Sequence, residues 1–334
     1  KFFLMFKLGF ICKIMRTLPS IREELNKETV NLVLKKNFKI ISPYFYKLTT
    51  EWFNGSYKVF NDLNKYLVLI YFVNKDFEFY RRNNINISYD SFYKTKDLEI
   101  IKINIMQISK DLNIPKESVR RKIIELEKKG IIKKIGKKIT IDRSAYISTQ
   151  PIDTLKNLSK LLSIFSNVLK KEKIIKNHLS QNEVEHLIKQ NFSFCWYQFY
   201  KFLFLYCLRW KKYFGDLEFC SIFITIVLNS NSKITVPFQG LSSYFENWRD
   251  KIASQKIRGI NAMSISEITG IPRPTVVRKI KILVKKKYIS LDKYKLINVD
   301  ISNQNFKDMS IIQDYNLNSF NIFIKRTFNH INLS

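Results

Sequence analysis

INIMQISKDLNIPKESVRRKIIELEKKGIIKK, residues 103–134, and INAMSISEITGIPRPTVVRKIKILVKKKYISL, residues 260–291, are one segment written twice. A shift of 157 positions overlays Ile108 on Ile265, Ser109 on Ser266, Ile114 on Ile271, Pro115 on Pro272 and Val119 on Val276. The same shift overlays Arg121 on Arg278, Lys122 on Lys279, Ile123 on Ile280, Leu126 on Leu283 and Ile132 on Ile289, without a gap. A period this long repeats whole domains and does not describe a solenoid.

The second copy reads as a short helix, a turn, a second helix and a β-hairpin. Ser264 with Glu267 has the spacing of a capping box that opens the short helix. Gly270 stops it, since glycine takes the left-handed conformation at a helix end cheaply. Pro272 stands near the start of the next helix, where a missing N–H costs little. Val276, Ile280 and Leu283 then recur at spacings of four and three, one face of a helix. Tyr288–Leu291 and Lys295–Val299 flank a turn around Asp292 and Lys293. In the first copy Asn113 replaces the turn glycine, Val119, Ile123 and Leu126 form the apolar face, and Gly130 ends the helix. Residues 131–134 and 138–141 flank Gly136-Lys137.

This order of elements is that of a winged helix-turn-helix, and the stretch ISEITGIPRPTVVRKIKIL resembles bacterial transcription regulators of the MarR-like class. The resemblance covers about 40 residues in each copy. It implies a second helix that enters the DNA major groove and a hairpin wing that touches the backbone. The chain departs from the family in carrying two heads, and the family's sensory or dimerising part is not recognisable in it.

Burying Val119, Ile123 and Leu126 turns other side chains outward, and only the first turns of such a helix reach base edges. The expected DNA-facing residues are Lys116, Ser118, Arg120, Arg121 and Lys122 in the first copy. In the second they are Arg273, Thr275, Val277, Arg278 and Lys279. The wings add Lys133, Lys134, Lys137 and Lys138, and then Lys293 and Lys295. Arginine is scarce, 13 of 58 basic residues, yet four arginines fall in the first turns of these two helices. A guanidinium pairs with guanine O6 and N7 through two hydrogen bonds, which an ammonium does not match. Glu117 becomes Pro274 and Arg120 becomes Val277, so the two heads are expected to read unlike half-sites.

At 334 residues and 46% hydrophobic, the chain holds two to three domains with ample core. A formal charge of +30 favours a polyanionic partner, although a chain so rich in Lys, Asn, Ile, Phe and Tyr also carries the imprint of an A+T-rich genome. Residues 103–142 hold eleven Lys or Arg against five Asp or Glu, and residues 260–300 hold nine against three. Cys12, Cys195, Cys207 and Cys220 lie in apolar stretches without metal spacing and read as reduced core residues. No Walker loop, GxGxxG or GxSxG is present, so neither an enzyme nor a cofactor is expected.

The expected fold is mainly α: two winged helix-turn-helix domains, each preceded by a helical segment. Residues 1–60 form an N-terminal helical segment that opens on a docked amphipathic helix. Residues 61–143 hold the first helical part and head, with its core at 103–142. Residues 144–259 are a second, aromatic-rich helical part with an insertion at 229–258. Residues 260–300 are the second head and 301–334 a tail. Residues 151–175 read as one helix linking the first wing to the second helical part. Two further pairs look like repeats, Lys65–Leu69 with Lys201–Leu205 and Asp76–Phe79 with Asp216–Phe219. Gln198 and Lys201 interrupt the apolar run 192–210, and a central lysine costs a membrane helix about 3 kcal/mol. That run is therefore expected as a buried helix or as the interface of a homodimer, in a cytoplasmic protein with no membrane contact. The function expected is a sequence-specific transcription regulator on a bipartite site of double-stranded DNA. The alternatives are a replication initiator with tandem winged helices, or a chromosome-organising protein–protein module.

Overall fold

A long helix follows wherever the sequence strings together apolar residues behind an Asn, Ser or Asp, and it does so in the same order twice. The computed structural model describes residues 24–94, 97–100, 104–135, 138–142, 151–231, 250, 259–300 and 305–333. The expected amphipathic helix at the start and most of the insertion lie outside the described residues. The first half holds α1 (Lys27–Lys36), α2 (Phe38–Phe60), α3 (Leu63–Arg82), α4 (Tyr89–Lys94), β1 (Asp97–Ile100), α5 (Ile105–Leu112), α6 (Lys116–Lys128), β2 (Ile132–Ile135), β3 (Lys138–Asp142) and α7 (Ile152–Lys171). The second holds α8 (Gln181–Gln190), α9 (Phe192–Phe214), α10 (Leu217–Asn231), α11 (Ala262–Thr269), α12 (Arg273–Lys285), β4 (Ile289–Leu291), β5 (Ile297–Val299) and α13 (Asn305–Leu333). The protein is mainly α.

The repeat is longer than the segment that announces it. Helices α1, α2 and α3 begin 154 residues before α8, α9 and α10, and α1 and α2 have the lengths of α8 and α9. The junctions match as well. Asn61 and Gly215 both take a positive φ, at 53° and 92°. Asp62 and Asp216 then accept the backbone N–H of Lys65 and Phe219, at 3.0 and 2.8 Å. This corrects the reading of residues 1–60 as a separate segment: α1 and α2 pack with α3 as counterparts of α8, α9 and α10. It also corrects the pairings of Lys65–Leu69 with Lys201–Leu205 and of Asp76–Phe79 with Asp216–Phe219, since α3 corresponds to α10, α9 to α2 and Asp216 to Asp62.

The two units embrace. Helix α7 packs on α2 of its own unit and on α8 of the next, while α13 packs on α9 and on α1. Helix α3 packs on α9, and α10 on α2. Leu25 and Leu179, 154 residues apart, donate their N–H groups to side chains of the opposite closing helices, Asn329 Oδ1 at 3.0 Å and Ser166 Oγ at 2.8 Å. Reciprocal contacts of this kind are those of an approximate two-fold axis within one chain. Residues 152–171 are accordingly a packed helix and not a free connector.

The aromatic stretch is consumed by this embrace. Phe45 of α2, Phe202 of α9 and Phe320 and Phe323 of α13 meet at the centre, with Phe45–Phe320 centroids 4.6 Å apart and Phe202–Phe323 stacked at 5.6 Å. Such pairs add about 0.5–1.5 kcal/mol each beyond their buried area. Trp196, Phe199, Phe202 and Tyr206 are almost wholly buried within one chain, so the face expected to bind a second copy is covered by α2, α3 and α13. Gln198, also buried, accepts from Arg326, and Lys201 on the same helix is exposed. No single helix among the described residues is long and apolar enough to cross a membrane; α9 and α10 pass only as a pair bent by 93°.

Cys195, Cys207 and Cys220 are reduced and buried, and burial pushes all three thiols up from their ordinary range. Cys12 lies outside the described residues.

Leu126 and Leu283 occupy equivalent positions in the core at 0% and 1% exposure. Truncating either to alanine is expected to cost about 2–5 kcal/mol in urea-melt stability. Two wild-type melts would refute the packing described for α6 and α12.

Candidate nucleic-acid interface

Each short helix is opened by an asparagine that sequence spacing alone did not single out. Asn104 accepts the N–H of Gln107 and Asn261 that of Ser264, at 3.1 and 2.8 Å. The expected Ser264–Glu267 capping box is therefore corrected: Ser264 lies inside α11, one turn beyond the cap. Asn113 and Gly270 turn the chain with φ 49° and 76°. Ser109 Oγ and Ser266 Oγ staple the two turns alike, each donating to the carbonyl of Ile114 or Ile271 at 2.7 Å. Pro115 and Pro272 precede α6 and α12 as N-caps without a side-chain cap.

Behind the second helix of each copy comes a hairpin. Strands β2 and β3 pair with Lys133 opposite Thr140 and Lys134 opposite Ile139, and β1 joins on the far side to give the order β1-β3-β2. In the second copy β4 and β5 pair alone, and the third strand shrinks to an Ile260–Ile297 bridge. The Asp292 carboxylate ties that hairpin turn by accepting the N–H groups of Tyr294 and Leu296, both at 2.9 Å. Lys295 sits in this turn with φ 60°, ahead of the strand in which it was expected.

Most of the expected residues face outward. Lys116, Arg120 and Arg121 of α6 are exposed, as are Arg273, Val277 and Arg278 of α12; Ser118 and Thr275 are half-buried. Arg121 keeps 70% of its side chain exposed, with only a loose contact to Glu125 at 3.9 Å, and Arg120 is as loosely held by Glu117 at 3.8 Å. Exposed pairs of this kind hold a side chain by well under 1 kcal/mol, so both guanidinium groups are available to a partner. Lys133, Lys134, Lys293 and Lys295 are exposed on the hairpins. Lys137 lies outside the described residues, and Lys138 opens β3.

Lys122 and Lys279 do not face outward, and this corrects their place among the expected contacts. They are 6% and 5% exposed. Lys122 lies three residues after Val119 and four before Leu126, inside the apolar stripe. Its stem packs with that face, and its ammonium meets Asp62, the N-cap of α3. Lys279 repeats the arrangement with Asp216, adds Glu218 at 3.1 Å, and lies 4.1 Å from the Phe219 ring centroid. Each of these helices is thus pinned to its scaffold by the residue next to its exposed arginine, about a quarter-turn around the helix. The sequence did carry a signal: the same lysine at an apolar-face position in both copies, and an Asp after each long aromatic helix.

Sequence reading also missed what surrounds α6. Lys65 binds Glu125 at 2.7 Å, and that hydrogen bond holds the Glu125 carboxyl below its ordinary value. Lys211 of α9 is buried and donates to the carbonyls of Asn113 at 2.8 Å and Leu112 at 3.4 Å. Burial, with the Lys122 charge acting in the same direction, pushes its amine down to about 8.

Comparison with protein-family models, with curated proteins and with solved structures finds no match for this chain.

Replacing Lys122 or Lys279 by methionine keeps the apolar stem and removes the charge. Each is expected to lower stability by about 1–3 kcal/mol, below the cost of breaking a fully buried pair because the aspartates are partly exposed. Lys279→Met, which strands two carboxylates, is expected to cost more than Lys122→Met. Denaturant melts that reverse this order would contradict the clamp.

Proposed function

We propose that this protein is a sequence-specific DNA-binding transcription regulator of the cytoplasm, whose two helix–turn–helix–hairpin units serve as winged-helix heads on a bipartite site. The observation that carries the reading is the matched pair Arg121 and Arg278. They stand at equivalent positions, exposed, on helices fixed by the neighbouring Lys122–Asp62 and Lys279–Asp216 pairs. A guanidinium held on a fixed helix meets the demands of bidentate guanine recognition. Lys133, Lys134, Lys293 and Lys295 on the hairpins suit phosphate contacts, which position a head without reading sequence. The likeness of the repeated segment to MarR-like regulators points the same way.

The two-fold relation of the units adds a constraint. Heads related by such an axis meet the duplex in opposite directions, so the half-sites are inverted with respect to each other. Arg120 in one head and Val277 in the other make those half-sites unlike in sequence.

Arg121→Ala and Arg278→Ala are each expected to weaken binding to a DNA selected from a random pool by roughly 1–3 kcal/mol. Their melts should be unchanged. Fluorescence anisotropy measures the first quantity and circular dichroism the second. Two variants that bind that DNA as tightly as the parent remove the DNA-reading assignment.

A further inference from the structure

The two units place the same seam twice, between the turn of one head and the long second helix of the opposite unit. In the first seam an open cavity of about 480 Å³ is lined by Asn64, Ser118, Arg121, Lys122, Lys211 and Lys212, at the uncapped start of α6. The second seam is built from the equivalent residues, but Tyr57 stands in place of Lys211, Glu218 in place of Asn64 and Lys58 in place of Lys212.

These exchanges change the charge. In the second seam Glu218 receives the Lys279 ammonium at 3.1 Å, and burial together with the Glu218 carboxylate pushes the Tyr57 hydroxyl up to about 12. Lys58 fills the space against the turn, so close that a Cβ on Gly270 would lie 2.7 Å from its Cγ. Lys58 and Lys212 carry the same charge; in the first seam the other two exchanges, Lys211 for Tyr57 and Asn64 for Glu218, run toward positive charge. Lys211 is buried there on two backbone carbonyls, and among the described residues no carboxylate lies within salt-bridge distance of it. Lys212 and Arg121 are exposed beside it. Of the two acids that act on Lys211 from nearby, Asp62 is already taken by Lys122 and Asp216 by Lys279. Placing ammonium groups this close together is unfavourable until an anion joins them. Asn64 adds a buried amide oxygen without a hydrogen-bond partner, an acceptor that a P–OH group can satisfy.

We propose that the first seam is a phosphate-binding site, taking inorganic phosphate or a phosphate monoester between the first head and α9, and that its twin has been closed by neutralisation. A bound phosphate bridges α6 to the opposite unit and so fixes the direction in which that head points. A backbone phosphate of DNA carries the same anionic oxygens, although as a diester it has no P–OH to offer Asn64, and it is the other possible source of the anion.

The test is titration of the full chain with inorganic phosphate, by calorimetry and by phosphorus NMR, in the absence of DNA. Saturable binding at one site is expected. Asn64→Glu places in the first seam the carboxylate that the second carries, and should weaken binding by about tenfold or more, the effect of one opposed charge a few ångströms away. Lys212→Ala alters an exposed residue, leaves the fold intact and should weaken it severalfold. Lys58→Ala, the equivalent change in the closed seam, should leave phosphate binding unaltered. If free phosphate does not bind, but Asn64→Glu and Lys212→Ala both weaken DNA binding and reduce its salt slope by about one, the site holds a backbone phosphate. The proposal is overturned if phosphate binds all variants equally, or if it binds none and DNA binding is also indifferent to both changes. Phosphate binding that survives while Arg121→Ala and Arg278→Ala leave DNA affinity untouched removes the DNA reading and keeps the site.

Discussion

The contact between a lysine on the second helix of each repeated segment and an aspartate at the head of a scaffold helix decides where everything outside it points. Asp62 does two things at once: it caps α3 by accepting the Lys65 N–H, and it receives the Lys122 ammonium. A carboxylate is favoured at that place in any case, because the first turn of a helix carries unpaired N–H groups and the positive end of the helix dipole. The lysine thus finds its counter-charge at a position that the helix itself favours for an acid. Its four methylenes complete the apolar face between Val119 and Leu126, as long basic side chains often do. Rotating α6 about its axis would take this ammonium away from Asp62, so the rotation is fixed and with it the exposure of Arg121. Asp216 and Lys279 settle α12 in the same way.

Around these two clamps the scaffold is held by interlocked aromatic helices. The pairs that cross from one unit to the other, Phe45 with Phe202 and with Phe320, lie where α2, α9 and α13 meet. The closing helices α7 and α13 each belong to one unit and cover the first helix of the other. A core made this way has no plane along which it divides, so the two heads share one mechanical base and their relative orientation is a property of the whole chain.

The repeated segment was readable because its turns and apolar spacing are local. Asn113 and Gly270, Val119 and Val276, Leu126 and Leu283 announce helix, turn and packing face within a few residues of each other. The same local reasoning placed Arg121 and Arg278 on the exposed side. It misplaces Lys122 and Lys279 because a charge reads as exposure, whereas their spacing from Val119 and Val276 puts them on the buried arc. The capping box of α11 was misjudged because Asn261, three residues upstream of Ser264, takes the cap first. The helical half of the repeat is harder to read for a different reason. At the 154-residue offset α2 and α9 share Phe45-Tyr46-Lys47 with Phe199-Tyr200-Lys201, and Phe60, Asp62 and Leu63 recur as Phe214, Asp216 and Leu217, but these identities are scattered among unlike residues and lie out of step with the 157-residue offset of the heads. Lys211, Tyr57 and the seams they line arise from contacts between units and have no sequence-local signature.

The covalent joining of the two units has a consequence for how they can vary. When two identical subunits assemble about an axis, every substitution appears twice, and a charge that opens one seam opens both. Here the halves are always paired with each other and never with a copy of themselves. Glu218 and Tyr57 can therefore seal one seam while Asn64 and Lys211 leave the other open, and Val277 can replace an arginine on one head alone. Dilution cannot separate the partners, nor can exchange scramble them. A single gene thereby encodes a heterodimer of fixed composition, in which asymmetry is inherited with the chain.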